Sequence, residues 1–284
     1  MLSILTLVIL SSLLSAKVLL DSINPPGCGV ARVLGRIVDG KTIARSRMPW
    51  IVHLVARYQL KPRSIKQMAC GGSILSSRFI LTAAHCINFG HRHPVSIVVR
   101  YNSTYLEQGP LASVKDIIPH PRFSMATVTN DIGLVKLTKP LQFDEFVKPI
   151  CLPVTRLQLA HKKAFAAGWG KTRDKDVKGT DRLHYIRTNI LPFRNCTTSF
   201  DSWEQQDVFT DASVICTETN GEGVCQGDSG GPVTIWRKRH RKYFQVGVIS
   251  FSEGCSKAGH PNVHTRVSHF VPWIRNIMWI RWWF

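Results

Sequence analysis

An all-β fold is what this chain predicts, and three observations carry the prediction. Short apolar runs recur between turn signals, at residues 79–84, 95–101, 132–137 and 244–251. Runs of that length, bounded by turn residues, read as strands of a sandwich or barrel. No stretch before residue 268 keeps a long 3.6-residue apolar repeat. Finally, 44% hydrophobic and 19% charged residues in a chain of 284 describe a globular protein, long enough for one large domain or two smaller lobes.

Residues 1–16 carry no charged side chain and are mostly Leu, Ile, Val and Ser. They read as a secretory signal peptide ending near Ala16, being too short for a membrane-spanning anchor. The expected location is extracellular, where the eight cysteines are expected to form disulfides. Their number leaves the pairing open, and with no CxxC pair they do not read as metal ligands. Asn102-Ser103-Thr104 and Asn195-Cys196-Thr197 are sequons, which makes Asn102 and Asn195 candidates for glycosylation.

The chain closes with a helix. Ser268 is placed as its cap, Pro272 in its first turn, and Val271, Ile274, Ile277 and Met278 along its docking face. The tail 279–284 adds three tryptophans around an arginine, a composition also used at membrane interfaces; core packing with a loose end is the reading adopted. Charge is strongly one-signed, with 37 Lys and Arg against 18 Asp and Glu, or +19. The densest run, Arg237-Lys238-Arg239-His240-Arg241-Lys242, lies between two strand-like runs and reads as a solvated hairpin tip. A field of that sign draws polyanions. For a secreted chain, heparin or a similar polyanion is the expected partner, rather than a specific nucleic acid.

Three short motifs carry chemistry. In Gly227-Asp228-Ser229-Gly230-Gly231-Pro232 the glycines free the backbone to expose the Ser229 hydroxyl and to aim the Gly227 and Ser229 amides at one point. Alone this is an ordinary Gly-rich turn. Leu81-Thr82-Ala83-Ala84-His85-Cys86 supplies a histidine and Asn130-Asp131-Ile132-Gly133-Leu134 a carboxylate. Singly these are a core histidine and a turn aspartate. Together the three supply a nucleophile, a base and a group that orients the base.

The order His85, Asp131, Ser229 with these flanks resembles the chymotrypsin/trypsin family of serine proteases, from about Cys28 to the C-terminus. The resemblance implies two six-stranded antiparallel β-barrels, meeting near residue 151, with the active site in the cleft between them and a C-terminal α-helix docked on the first barrel. It implies a secreted endopeptidase acting on protein or peptide substrates through an acyl-enzyme, a monomer without cofactor, and no metal. The region 101–114 offers only Glu107 for calcium. Ser250 matches a position that supports the aspartate.

The resemblance further implies a pro-segment over 17–36 and an activation site at Arg36-Ile37, where an activating protease would free the Ile37 amine to pair with Asp228. Asp39 departs from the family's usual Gly there. Implied disulfides are Cys28–Cys151, Cys70–Cys86, Cys196–Cys216 and Cys225–Cys255; one further family bridge has both partners replaced, by Ala164 and Ile235. The substrate pocket is placed at Gly223, Phe251, Ser252 and Asn262. Trypsin-like members carry Asp where Gly223 stands, so cleavage after Lys or Arg is expected to be weak, unless Glu222 or Glu253 supplies the missing charge; the alternatives are an elastase- or chymotrypsin-like preference, or a polar residue held by Asn262. The rival reading is a basic binding protein on a protease fold that has lost catalysis; retention of all three motifs and of the Arg36-Ile37 junction argues against it.

Overall fold

Turn chemistry and apolar alternation divide the described residues into twelve strands and three helices. The structure, a computed structural model, describes residues 23–31, 48–90, 92–197, 209–219, 223–255, 257 and 259–280. Strands β1 (Ile51–Lys61) and β2 (Ser64–Ile74) form a hairpin whose ladder runs from Ile51↔Ser73 to Lys61↔Ser64. Strands β3 (Phe79–Thr82), β4 (Ser96–Arg100), β5 (Leu111–Pro119) and β6 (Gly133–Leu137) complete a closed antiparallel barrel in the order β1-β2-β3-β6-β5-β4. Closure leaves no unpaired strand edge. β3 and β6 are buried along their whole length and face each other through Leu81↔Leu134, which explains why both read as continuous apolar runs.

The second sheet contains β7 (Lys163–Gly168), β8 (His184–Asn189), β9 (Val214–Thr217), β10 (Pro232–Arg237), β11 (Lys242–Phe251) and β12 (Asn262–Arg266), in the order β8-β7-β10-β11-β12-β9. Its two edges meet at the bridge Ile190↔Thr217, so it too curls toward a barrel. Its core gathers Ala164, Ala166, Ile215, Val233, Ile235, Val246 and Ile249. Ala164 and Ile235 are 0% and 6% exposed in that one cluster. Apolar packing therefore occupies the place of the absent bridge.

Helix α1 (Ala84–Ile87) follows β3 directly, and α2 (Phe193–Thr197) carries Cys196 and the exposed Asn195. The other sequon residue, Asn102, is half-buried at a left-handed turn with φ 56°. Helix α3 (Val267–Ile280) buries Val267, Phe270, Val271, Ile274 and Met278 in the same cluster as the first barrel's core. His120, just past β5, meets Phe270 and Trp273 edge-on at 5.1 and 4.9 Å. The helix starts at Val267, one residue before the expected cap, so Ser268 and Pro272 both lie inside it. Pro272 has no N–H to give to a carbonyl of the preceding turn. Trp279 and Ile280 are half exposed, and residues 281–284 lie outside the described residues.

Four disulfides join Cys28 to Cys151, Cys70 to Cys86, Cys196 to Cys216 and Cys225 to Cys255. The first spans 123 residues and ties the segment ahead of residue 31 to the loop between the two sheets. That segment is part of the fold. Ile23 is buried, and Asn24 exchanges two hydrogen bonds with the Leu152 backbone, at 2.9 and 2.7 Å.

Candidate active site

His85 is the second residue of α1, set by the end of β3 at the rim of the first barrel. Its backbone N–H donates to Asp131 Oδ1 at 2.9 Å, and its ring Nδ1 lies 2.7 Å from Asp131 Oδ2. Asp131 stands immediately before the buried Ile132 and β6. The chain there turns tightly: Asn130 has φ 51°, and Ile132 N–H donates to Asn130 O at 2.8 Å. From the second sheet, Ser250 Oγ donates to Asp131 Oδ2 and Thr265 Oγ1 to Asp131 O, at 2.5 and 2.7 Å. The two sheets thus meet at this carboxylate, which is fully buried.

Burial alone would raise the Asp131 pKa, but the His85 charge and the hydrogen bonds from His85 and Ser250 hold it below the ordinary carboxylate range. For His85 burial acts to lower the pKa. The field of Asp131 and the hydrogen bond between them outweigh it, and the ring is raised. The pair favours a charged ring beside a charged carboxylate.

Ser229 reaches this cleft because its neighbours are stitched to both sheets. Gly230 N–H donates to Ile249 O at 2.7 Å, next to Ser250, and Ile249 N–H returns to Gly231 O at 2.9 Å. Across the cleft, Gly71 N–H donates to Ser229 O at 2.7 Å. Gly227 and Gly230 adopt φ of 103° and 79°, a region that side chains disfavour. The intervening Asp228 N–H is bound to Cys225 O at 3.0 Å. Among the described residues the Gly227 and Ser229 amides donate to no acceptor, and no hydrogen bond joins the Ser229 side chain to His85.

Asp228 points away from Ser229, into the protein. Its Oδ1 accepts from Gly170 N–H at 2.8 Å and its Oδ2 from Cys225 N–H at 3.0 Å. A Cβ on Gly170 would lie 2.5 Å from Asp228 Oδ2, so only glycine admits the carboxylate here. No cation pairs with it among the described residues. Burial pushes its pKa up to about 6 despite the two amides. Arg36 and Ile37 lie outside the described residues.

The sequence-derived pocket residues lie on three neighbouring segments. Gly223 precedes the buried Val224 and Cys225. Phe251 ends β11 and packs on Phe209 at 6.0 Å. Ser252 Oγ donates to Gly254 O at 2.9 Å and lies 3.5 Å from Val224 O. Asn262 opens β12 and is completely buried. Glu253 is engaged by Lys257 and His260 at 2.6 and 2.7 Å, and Glu222 lies outside the described residues. Sequence reasoning passed over His264, whose Nε2 lies 2.8 Å from Thr217 Oγ1. Its signal was the strand period of two, which places it on the same face as Asn262. The sulfur-containing clusters Cys70/His85/Cys86 and Asp174/Cys225/Cys255 offer no thiolate to a metal, because their cysteines are disulfide-bonded.

Residues 37–274 match the family model described as Trypsin. The chain is 33% identical over 264 residues to a venom serine protease of Bombus ignitus (Bi-VSP), covering 88% of this chain and 71% of that protein. It is 34% identical over 267 residues to the serine proteinase stubble of Drosophila melanogaster, covering 87% of this chain but only 32% of that longer protein. It is 30% identical over 268 residues to the clotting factor G beta subunit of Tachypleus tridentatus, covering 90% of this chain and 84% of that subunit.

Proposed function

Because this chain belongs to the trypsin family of serine endopeptidases, we propose that His85, Asp131 and Ser229 are its catalytic triad. The observation that carries the assignment is the buried Asp131 carboxylate, held by Ser250 and bound to His85 Nδ1, beside a serine flanked by two uncommitted amides. This family is itself the standard case of the mechanism. Ser229 Oγ attacks the scissile carbonyl carbon as His85 Nε2 takes its proton. Asp131 fixes the ring and balances its charge. The Gly227 and Ser229 amides receive the oxyanion. His85 then protonates the leaving amine, and water releases the acyl group by the same route. Ser229→Ala is expected to lower kcat by about 10⁶-fold, the scale on which triad serines act; activity near that of the unmodified protein would overturn the assignment.

The same reading extends to activation. Cleavage after Arg36 frees the Ile37 amine, and that cation pairs with Asp228, whose buried carboxylate has two backbone donors and no counter-charge among the described residues. The pair holds the 225–231 turn, and with it the two amides, in place. Secretion through residues 1–16 suits a chain with four disulfides, and no helix among the described residues is long and apolar enough to cross a membrane. Asn102 and Asn195 remain the glycosylation candidates, Asn195 being the more exposed. The exposed tip between β10 and β11 is the surface proposed for heparin-like polyanions. Gly223 brings no carboxylate to the pocket, which disfavours cleavage after Lys or Arg.

A further inference from the structure

The segment leading to Ser229 and the segment leaving Ser250 run side by side. Ser252 Oγ lies 3.5 Å from Val224 O, and the Cys225–Cys255 bridge closes one side. β12, paired to β11 through Phe251↔Val263, supplies the third wall. Alternate side chains of β12 face opposite ways. Thr265 faces the first barrel, where it bonds Asp131 O at 2.7 Å. Asn262 and His264 face the other way, toward Thr217, which lies opposite Asn262 in register.

Both of these side chains are 0% exposed. Nonetheless Asn262 Nδ2, Asn262 Oδ1 and His264 Nδ1 have no hydrogen-bond partner among the described residues. Buried polar atoms are nearly always paired. Three such atoms on one strand face, on the strand paired to the segment around Ser250, therefore call for a ligand.

We infer that the pocket beside Ser229 takes a side-chain carboxamide, glutamine or asparagine, in the residue before the scissile bond, with Asn262 and His264 as the groups that recognise it. This rests on the protease reading above. The chemistry narrows the choice by elimination. Among the described residues a Lys or Arg side chain finds no free carboxylate: Gly223 has no side chain, and Glu253 is bound to Lys257 and His260. An Asp or Glu finds no cation among the described residues that form the pocket, since burial pushes His264 down to about 3 and leaves the ring neutral at working pH. An apolar side chain fits neither problem and leaves all three atoms unpaired. Asn262 presents one donor and one acceptor group, which another carboxamide matches.

The test uses the full chain cleaved after Arg36 and peptides varied only before the scissile bond, with active sites counted by a fluorophosphonate that labels the serine whatever the substrate preference. Gln should exceed its near-isostere Met, or Asn exceed Leu, by about tenfold or more in kcat/KM per labelled site, because a site built for hydrogen bonds rejects analogues that lack them. Asn262→Gly should shrink that ratio to about threefold or less by removing one of the two recognising side chains. A labelled enzyme that treats Gln like Met and Asn like Leu, or prefers Lys, Arg, Asp or Glu, overturns this inference and leaves the protease reading intact. If Asn262→Gly does not fold, the Gln-to-Met and Asn-to-Leu ratios of the unmodified protein still decide. Failure of the cleaved, folded protein to label sinks both.

Discussion

At the scale of single residues, the site works by setting two charges against burial. The Asp131 carboxylate is buried and still favoured in its charged form, because His85 and Ser250 donate to it. In return it raises the His85 ring above 6.5 against the opposing effect of burial. His85 has to be neutral to accept a proton, so kcat/KM should fall as pH drops through a value above 6.5. In Asp131→Asn burial acts without the opposing carboxylate, and the acid limb should move to lower pH. A pH–rate profile that keeps its limb in place contradicts this assignment of the pair. The three residues proposed as the triad stand out in the sequence because each sits in a short local motif whose flanks are part of its geometry. His264 does not. Its partner Thr217 lies 47 residues away, and only strand register brings the two together.

At the scale of elements, the hairpin β10–β11 carries the basic run on its turn. Lys238, Arg239, His240 and Arg241 are exposed, and Arg241 takes φ 49°. Arg237 is anchored by stacking its guanidinium 5.2 Å over Phe244. The tip displays exposed positive charge, so Arg239→Ala with Arg241→Ala should lower the salt concentration at which the protein leaves a heparin column, without loss of triad activity. Elution of the unmodified protein at low salt, or no change in the double variant, removes the hairpin from polyanion binding; surface charge interactions are weakened by salt in any case. Strand positions in this region followed from apolar runs, yet β1 and the polar half of β2 did not stand out, since their exposed ends lack an apolar run. Helix α3 was legible from its repeat, but it begins one residue ahead of the expected cap: Val267 continues directly from β12, and no cap separates the strand from the helix.

At the scale of the molecule, each lobe contributes part of a site that neither holds alone. His85 and Asp131 come from the closed barrel, and Ser229, Ser250 and Thr265 from the second sheet. No local pattern encodes that meeting, and it entered the sequence reading only through family resemblance. Asp228 connects the site to the stability of the whole chain. Its folded pKa of about 6 lies above the ordinary 3.8, so before cleavage the folded state keeps the proton longer than the unfolded state. Stability of the uncut chain should therefore decline as pH rises from about 4 to about 6, by about 3 kcal/mol, and lose no more from this group above that. A pairing amine removes the penalty. Chemical denaturation of the Arg36-cleaved protein and of an uncleavable Arg36→Gln chain should then show similar stabilities near pH 4 and a gap near pH 7; a gap independent of pH contradicts the pairing.

The central claim is that Ser229 becomes a nucleophile when the chain is cut after Arg36. The most direct measurement is fluorophosphonate labelling of four proteins, cut and uncut, each with Ser229 or with Ser229→Ala, followed by mapping of the modified residue. The account predicts strong labelling of the cut chain at Ser229 alone, weak labelling of the uncut chain, and none in either Ser229→Ala protein. Equal labelling with and without cleavage, or a label that persists without Ser229, would contradict it.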